Sequence, residues 1–188
     1  MKIVLGSKSP RRQELMATLG FDFIVDAVDV DENIIHYTSA SDYVKQAAFK
    51  KGKAILTKFP DSVIVCADTI VVFEDNILGK PHNIEEARKM ITALSNNFHY
   101  VFTGVVIFLN NKQRFFIEKT KVFVDGMTPD EIEAYIQTEE PYDKAGGYAI
   151  QGNFGKYIKR IEGDYYNVMG LPLNHLYREI IKIKKSER

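Results

Sequence analysis

The chain has 188 residues with 25 basic and 25 acidic side chains, so its formal net charge is zero. That balance argues against nucleic-acid or membrane-surface binding by bulk charge, and no apolar stretch approaches the ~20 residues of a membrane span. Hydrophobic residues make up 45%, enough for a full core, and the single Cys66 excludes an internal disulfide and fits a reducing cytosol. The length predicts one domain over 1–188. The opening Met1-Lys2-Ile3-Val4-Leu5 is too short an apolar run for a secretory signal.

Residues 2–5 read as a short buried strand running into Gly6-Ser7-Lys8-Ser9-Pro10-Arg11-Arg12. Ser9 suits an N-cap and Pro10 a first helical position; Leu15, Met16 and Leu19 then form an apolar helical face that stops at Gly20. Arg11 and Arg12 fall in the first turn, where cations oppose the helix dipole. Added to the unpaired N–H groups of a helix start, they predict a phosphate site. Residues 21–30 alternate apolar and acidic side chains, as a half-exposed strand does. Asp29, Asp31 and Glu32 are either a solvated loop or the source of a metal-binding carboxylate, and spacing alone does not decide. The pattern over 41–57 predicts a helix with Val44, Ala47, Ala48 and Ile55 inward and its lysines, Lys51 among them, mostly outward.

Residues 62–73 are an apolar, β-branched run with one carboxylate, Asp68, in the middle. Such a run predicts a strand buried on both faces. A carboxylate there is costly unless paired, hydrogen-bonded or metal-bound. A satisfied core aspartate is the ordinary outcome; the polar stretches elsewhere favour a functional one. Glu74-Asp75-Asn76 predicts a turn, and Ile77 and Leu78 a return strand ending at Gly79-Lys80-Pro81, which sets Lys80 across a hairpin from Asp68. Asn83 and Glu86 form a capping box for a helix with Ala87, Met90, Ile91 and Leu94 inside, ended by Ser95-Asn96-Asn97. Residues 98–109 and 114–124 read as a hairpin of long strands, and Thr128-Pro129-Asp130-Glu131 as a second capping box. The four histidines lack zinc-like spacing, and His99 is expected to be structural. The glycine-rich stretch 141–152 carries Asp143, Lys144 and Gln151; Gly147 and Gly152 have P-loop spacing, but Asn153 stands where its lysine must be, so there is no Walker A motif. A short strand over 156–161 and a last helix through Leu176, Ile180 and Ile183 complete the chain.

Six motifs in this order carry a family resemblance: Leu5-Gly6-Ser7-Lys8-Ser9-Pro10-Arg11-Arg12, Ala67-Asp68-Thr69, Leu78-Gly79-Lys80-Pro81, residues 99–105, Asp143-Lys144-Ala145-Gly146 through Gln151-Gly152, and Val168-Met169-Gly170-Leu171-Pro172. The chain resembles the Maf, or septum-formation, proteins, nucleoside triphosphate pyrophosphatases, over nearly its whole length. Gly6 replaces a usual Ala, Asn96 a common Gly, and Gly147 and Ala149 look exchanged. The resemblance implies an elongated α/β fold like the inosine-triphosphate pyrophosphatases: a mixed sheet with flanking helices and two lobes around a cleft. It also implies a cytoplasmic homodimer that hydrolyses dTTP and UTP to monophosphate and pyrophosphate with Mg²⁺ or Mn²⁺. By resemblance, Asp68 is the proton acceptor and Glu32 helps it hold the metal. Arg11, Arg12, Lys51 and Lys80 neutralise phosphates, Ser7 adds a donor, and Thr69 and Gln151, with Arg11, select the base. Asp143 and Lys144 join the substrate-binding set. Two rival readings are a 7-methyl-GTP-type enzyme of the same family and a nucleotide-binding regulator of cell division without relevant turnover.

Overall fold

The computed structural model describes residues 2–28, 30, 34–110 and 112–186. The expectation placed on Asp29, Asp31 and Glu32 lies outside these residues. Among the described residues the chain forms seven strands in one mixed sheet with flanking helices, an α/β fold. The strands are β1 (Ile3–Leu5), β2 (Phe23–Val25), β3 (Val63–Phe73), β4 (Asn76–Leu78), β5 (Phe98–Leu109), β6 (Lys112–Val124) and β7 (Ile158–Glu162). Their order is β2-β1-β3-β5-β6-β7, with β4 paired to β3. The helices are α1 (Pro10–Thr18), α2 (Ala40–Leu56), α3 (Ile84–Leu94), α4 (Pro129–Ile136), α5 (Tyr165–Met169) and α6 (Leu173–Ser186).

The chain divides into two compact units, and neither is one continuous segment. The first comprises Met1–Asp68, Thr103–Glu118 and Gly170–Arg188; the second comprises Thr69–Phe102 and Lys119–Met169. In the first, β1 pairs in parallel with both β2 and β3, Leu5 standing opposite Val25 and Val65. Val4, Ala48, Ile55, Ile64, Cys66, Val106 and Phe108 form its buried cluster, which α2 shares with the sheet. In the second, Val71, Ala87, Ile91, Leu94, Val101, Val122, Ile136 and Phe154 form a separate cluster under α3 and α4. The inward residues expected of α2 and of α3 are buried, except Met90, which is half-buried.

Local chemistry sets the boundaries. Thr128 and Glu131 make the full reciprocal capping box at α4. Asn83 caps α3, but the Glu86 carboxylate accepts from the His82 N–H at 2.9 Å, one residue beyond the expected partner. Asn96 takes the left-handed conformation, at φ 56°, that ends α3. The alternation over 21–30 gives only a three-residue strand, because β1 offers just three partners at this edge of the sheet. The β5–β6 connection is shorter than expected, with two residues, 110 and 111, between Leu109 and Lys112.

Candidate active site

The first unit gathers five of the expected residues near the carboxyl end of β1, where parallel sheets place their ligands. Gly6 leaves β1 with its N–H on Val65 O at 2.8 Å. A Cβ there would lie 2.2 Å from Cys66 Sγ and 2.3 Å from Ile55 Cδ1, so these two side chains fill the space that an alanine would need. Ser7 is buried, and its Oγ accepts from the Ser9 N–H at 3.3 Å and from the Arg12 guanidinium at 3.4 Å. Ser9 occupies the N-cap position of α1 but makes no side-chain capping bond, so the Ser7 hydroxyl does the local bonding instead. Arg12 is anchored again by Nε to Gly170 O at 2.8 Å, while Arg11 is half-buried in the same helical turn.

Asp68 lies three residues beyond Val65 in β3 and is 9% exposed. Its Oδ1 accepts from Lys51 Nζ at 2.7 Å, and both side chains are only 13% exposed. The pairing meets the demand that a carboxylate in an apolar strand creates. Lys51 therefore turns inward from α2 to Asp68, which its helical spacing alone does not single out. Gly52 explains the approach: a Cβ there would sit 2.4 Å from the Phe108 ring, so glycine lets α2 lie close on β5. Burial pushes the Cys66 thiol up to about 12 against the opposing pull of Lys51 and Arg12.

The second unit holds Thr69, Lys80, Asp143, Lys144 and Gln151. Thr69 is half-buried and follows Asp68 in β3. The β3–β4 hairpin forms as expected, but its ladder ends at Leu78 opposite Val71, so Lys80 lies beyond the pairing and is exposed. The Gly146 N–H bonds Gly79 O at 3.0 Å, bringing the glycine-rich stretch beside Gly79-Lys80. Gly146 has φ 74° and packs on Val71, which leaves no room for a side chain. Lys144 pairs with Asp143 and donates to Glu140 O at 3.0 Å, whereas Gln151 is exposed. Glu140 and Tyr135, which frame this stretch, are absent from the sequence-based set; Glu-Pro ahead of Tyr-Asp-Lys is the only local signal, and it marks a turn.

The sheet and the cationic helix start define an α/β protein with a corner suited to an anion, and comparison with known proteins narrows it. The family model described as "Maf-like protein" matches residues 2–183. A "dTTP/UTP pyrophosphatase" of Geobacillus sp. (strain WCH70) is 47% identical over 182 residues, covering 97% of this chain and 98% of its own. A protein of the same name from Bacillus cereus is 45% identical over 179 residues, covering 95% and 94%. The solved structure of the Staphylococcus aureus Ham1 protein has a TM-score of 0.54 at 13% identity, covering 100% of both chains, and shares the fold. The chain belongs to the Maf-like protein family.

Proposed function

We propose that this protein is a nucleoside triphosphate pyrophosphatase acting on dTTP and UTP. The relatives named above support the substrate class. The observation that carries the chemistry is the Lys51–Asp68 pair at 2.7 Å, beside the Ser7–Arg12 helix start. In the reaction, water adds to phosphorus, the α–β anhydride bond breaks, and monophosphate and pyrophosphate leave. Asp68 takes the proton from the water. Lys51 orients Asp68, and its ammonium carries three donors, so it serves a phosphate oxygen as well. Arg11, Arg12 and the Ser7 hydroxyl face the phosphates with charge and donors. Lys80, Asp143 and Lys144 are proposed as further substrate contacts, and Thr69 and Gln151 as base-selecting positions, following the resemblance.

A divalent cation fits this chemistry as a companion of the substrate. Such ions are commonly held by one or two carboxylates plus phosphate oxygens. Asp68 offers one carboxylate, and among the described residues no three metal-ligating side chains converge. Glu32, the second expected ligand, lies outside them. When bound, the ion polarises the phosphoryl oxygens. A homodimer in the cytoplasm also belongs to this reading; among the described residues no helix is long and apolar enough to cross a membrane.

The test is pyrophosphate release from dTTP, UTP, CTP, ATP, GTP and 7-methyl-GTP, with Mg²⁺, with Mn²⁺ and with chelator. The expected result is highest efficiency on dTTP and UTP and loss of turnover on chelation. Preference for 7-methyl-GTP, or binding without turnover, would overturn it.

A further inference from the structure

The segment that displays Gln151 is pinned at both ends by two side chains outside the expected site, Glu140 and Tyr135. The Glu140 carboxylate accepts from the Asn153 N–H at 2.7 Å through Oε2 and from the Phe154 N–H at 3.2 Å through Oε1. These amides open the 3-10 turn Asn153–Tyr157, whose own N-cap residue is Gly152 and therefore has no side chain to cap it. Glu140 supplies that cap from 13 residues away. The Tyr135 hydroxyl lies 3.0 Å from Glu140 Oε1 and 3.0 Å from Gly147 O, holding the other end of the segment. Gly152 is the complement of the clamp. Its φ of −100° is open to any residue, yet a Cβ would fall 2.4 Å from Glu140 Oε2 and 2.6 Å from Oε1. The glycine is required by the carboxylate and not by the backbone.

Resting on the reading of Gln151 as a base-selecting residue, we propose that Glu140 is a specificity-positioning residue. Its carboxylate fixes the backbone of 147–154 and so fixes the direction in which the Gln151 amide meets the base. A bond that an amide N–H donates to a carboxylate is worth more than one to a neutral acceptor, and two are made here. Releasing them frees the segment and widens the range of bases accepted.

The experiment compares the parent, Glu140→Ala, Glu140→Gln and Gly152→Ala in two readouts. Amide exchange at Asn153 and Phe154 reports the clamp without any substrate. Catalytic efficiency on dTTP, UTP, CTP and GTP reports what the clamp does. Glu140→Ala is expected to speed exchange at both amides and to shrink the parent's preference between nucleotides by about tenfold, chiefly through KM. Glu140→Gln, which keeps an acceptor oxygen, is expected to recover part of the preference, and Gly152→Ala, which drives the carboxylate away, to reproduce its loss. Equal losses on all four nucleotides, or an unchanged preference with faster exchange, would overturn the positioning role. The parent's own profile judges the substrate reading; the change in that profile on substitution judges this inference. If Glu140→Ala does not fold, Gly152→Ala decides the outcome.

Discussion

Asp68 and Lys51 depend on each other, and the dependence separates chemistry from stability. Asp68→Asn keeps the shape and a carbonyl acceptor for Lys51 but removes the group proposed to take the proton. It is expected to fold, to melt within a few degrees of the parent, and to lose about 100-fold or more in kcat on dTTP, the usual reach of general-base catalysis. Lys51→Met is the converse case. It leaves a carboxylate only 13% exposed without its partner at 2.7 Å. Removing one member of a buried pair costs about 3–5 kcal/mol, and the remaining exposure sets this one near the lower end. Parallel thermal melts and dTTP assays on the two variants check both claims. Near-parent turnover in folded Asp68→Asn would remove Asp68 from the chemistry, and an unshifted melt in Lys51→Met would show the pair adds little.

Helix α2 shows what an element must do to deliver such a pair. Gly52 is the residue that lets it lie flat on Phe108. Two effects oppose each other in Gly52→Ala. Alanine favours the helix by about 1 kcal/mol, while overpacking against a buried ring costs roughly 1–3 kcal/mol. Phe108 is 4% exposed and Val106 fully buried, so neither can yield and the clash wins. The expected result is a lower melting temperature and, since Lys51 rides on the same turn, a lower catalytic efficiency; a stabilised, fully active variant would show that the contact is slack. The elements themselves were largely legible. Apolar periodicity marked α2 and β3, and capping residues marked α3 and α4. Their contacts were not. Lys51 is one of several lysines on α2, and only the parallel β1–β3 register and the close approach at Gly52 select it. The Glu140 clamp escaped for the same reason, since its partners lie 13 and 14 residues away. The exchange of an alanine for Gly6 is intelligible only once Cys66 and Ile55 are seen in its space.

At the scale of the whole molecule, one buried ring makes global stability depend on pH. His99 is 1% exposed, its Nε2 lies 2.6 Å from the Tyr148 hydroxyl, and its Nδ1 has no hydrogen-bond partner among the described residues. Burial pushes the Tyr148 hydroxyl up and pushes the His99 pKa down from the ordinary 6.5 to about 4, so the folded state keeps both neutral. Between pH 4 and 6.5 the unfolded chain binds the extra proton. Stability from this site is therefore complete above pH 6.5 and is lost as pH falls towards 4, by at most about 1.4 kcal/mol per pH unit. His99→Gln, which retains a polar group for Tyr148, is expected to flatten the melting temperature across that window; an unchanged slope would assign the acid sensitivity elsewhere. The interleaved units carry a different consequence, for a chain leaving the ribosome. The first unit contains Met1–Asp68 but also Gly170–Arg188. Its last helix holds Leu176 and Ile180 fully buried. Strand β1, which leads into Ser7, and strand β3, which carries Asp68, are therefore synthesised long before the helix that completes their unit. The second unit, whose final segment ends at Met169, is finished first. During translation the unit bearing Asp68 is the last to close, so its apolar strands must stay soluble, or be held, until the remaining buried side chains of that unit have emerged.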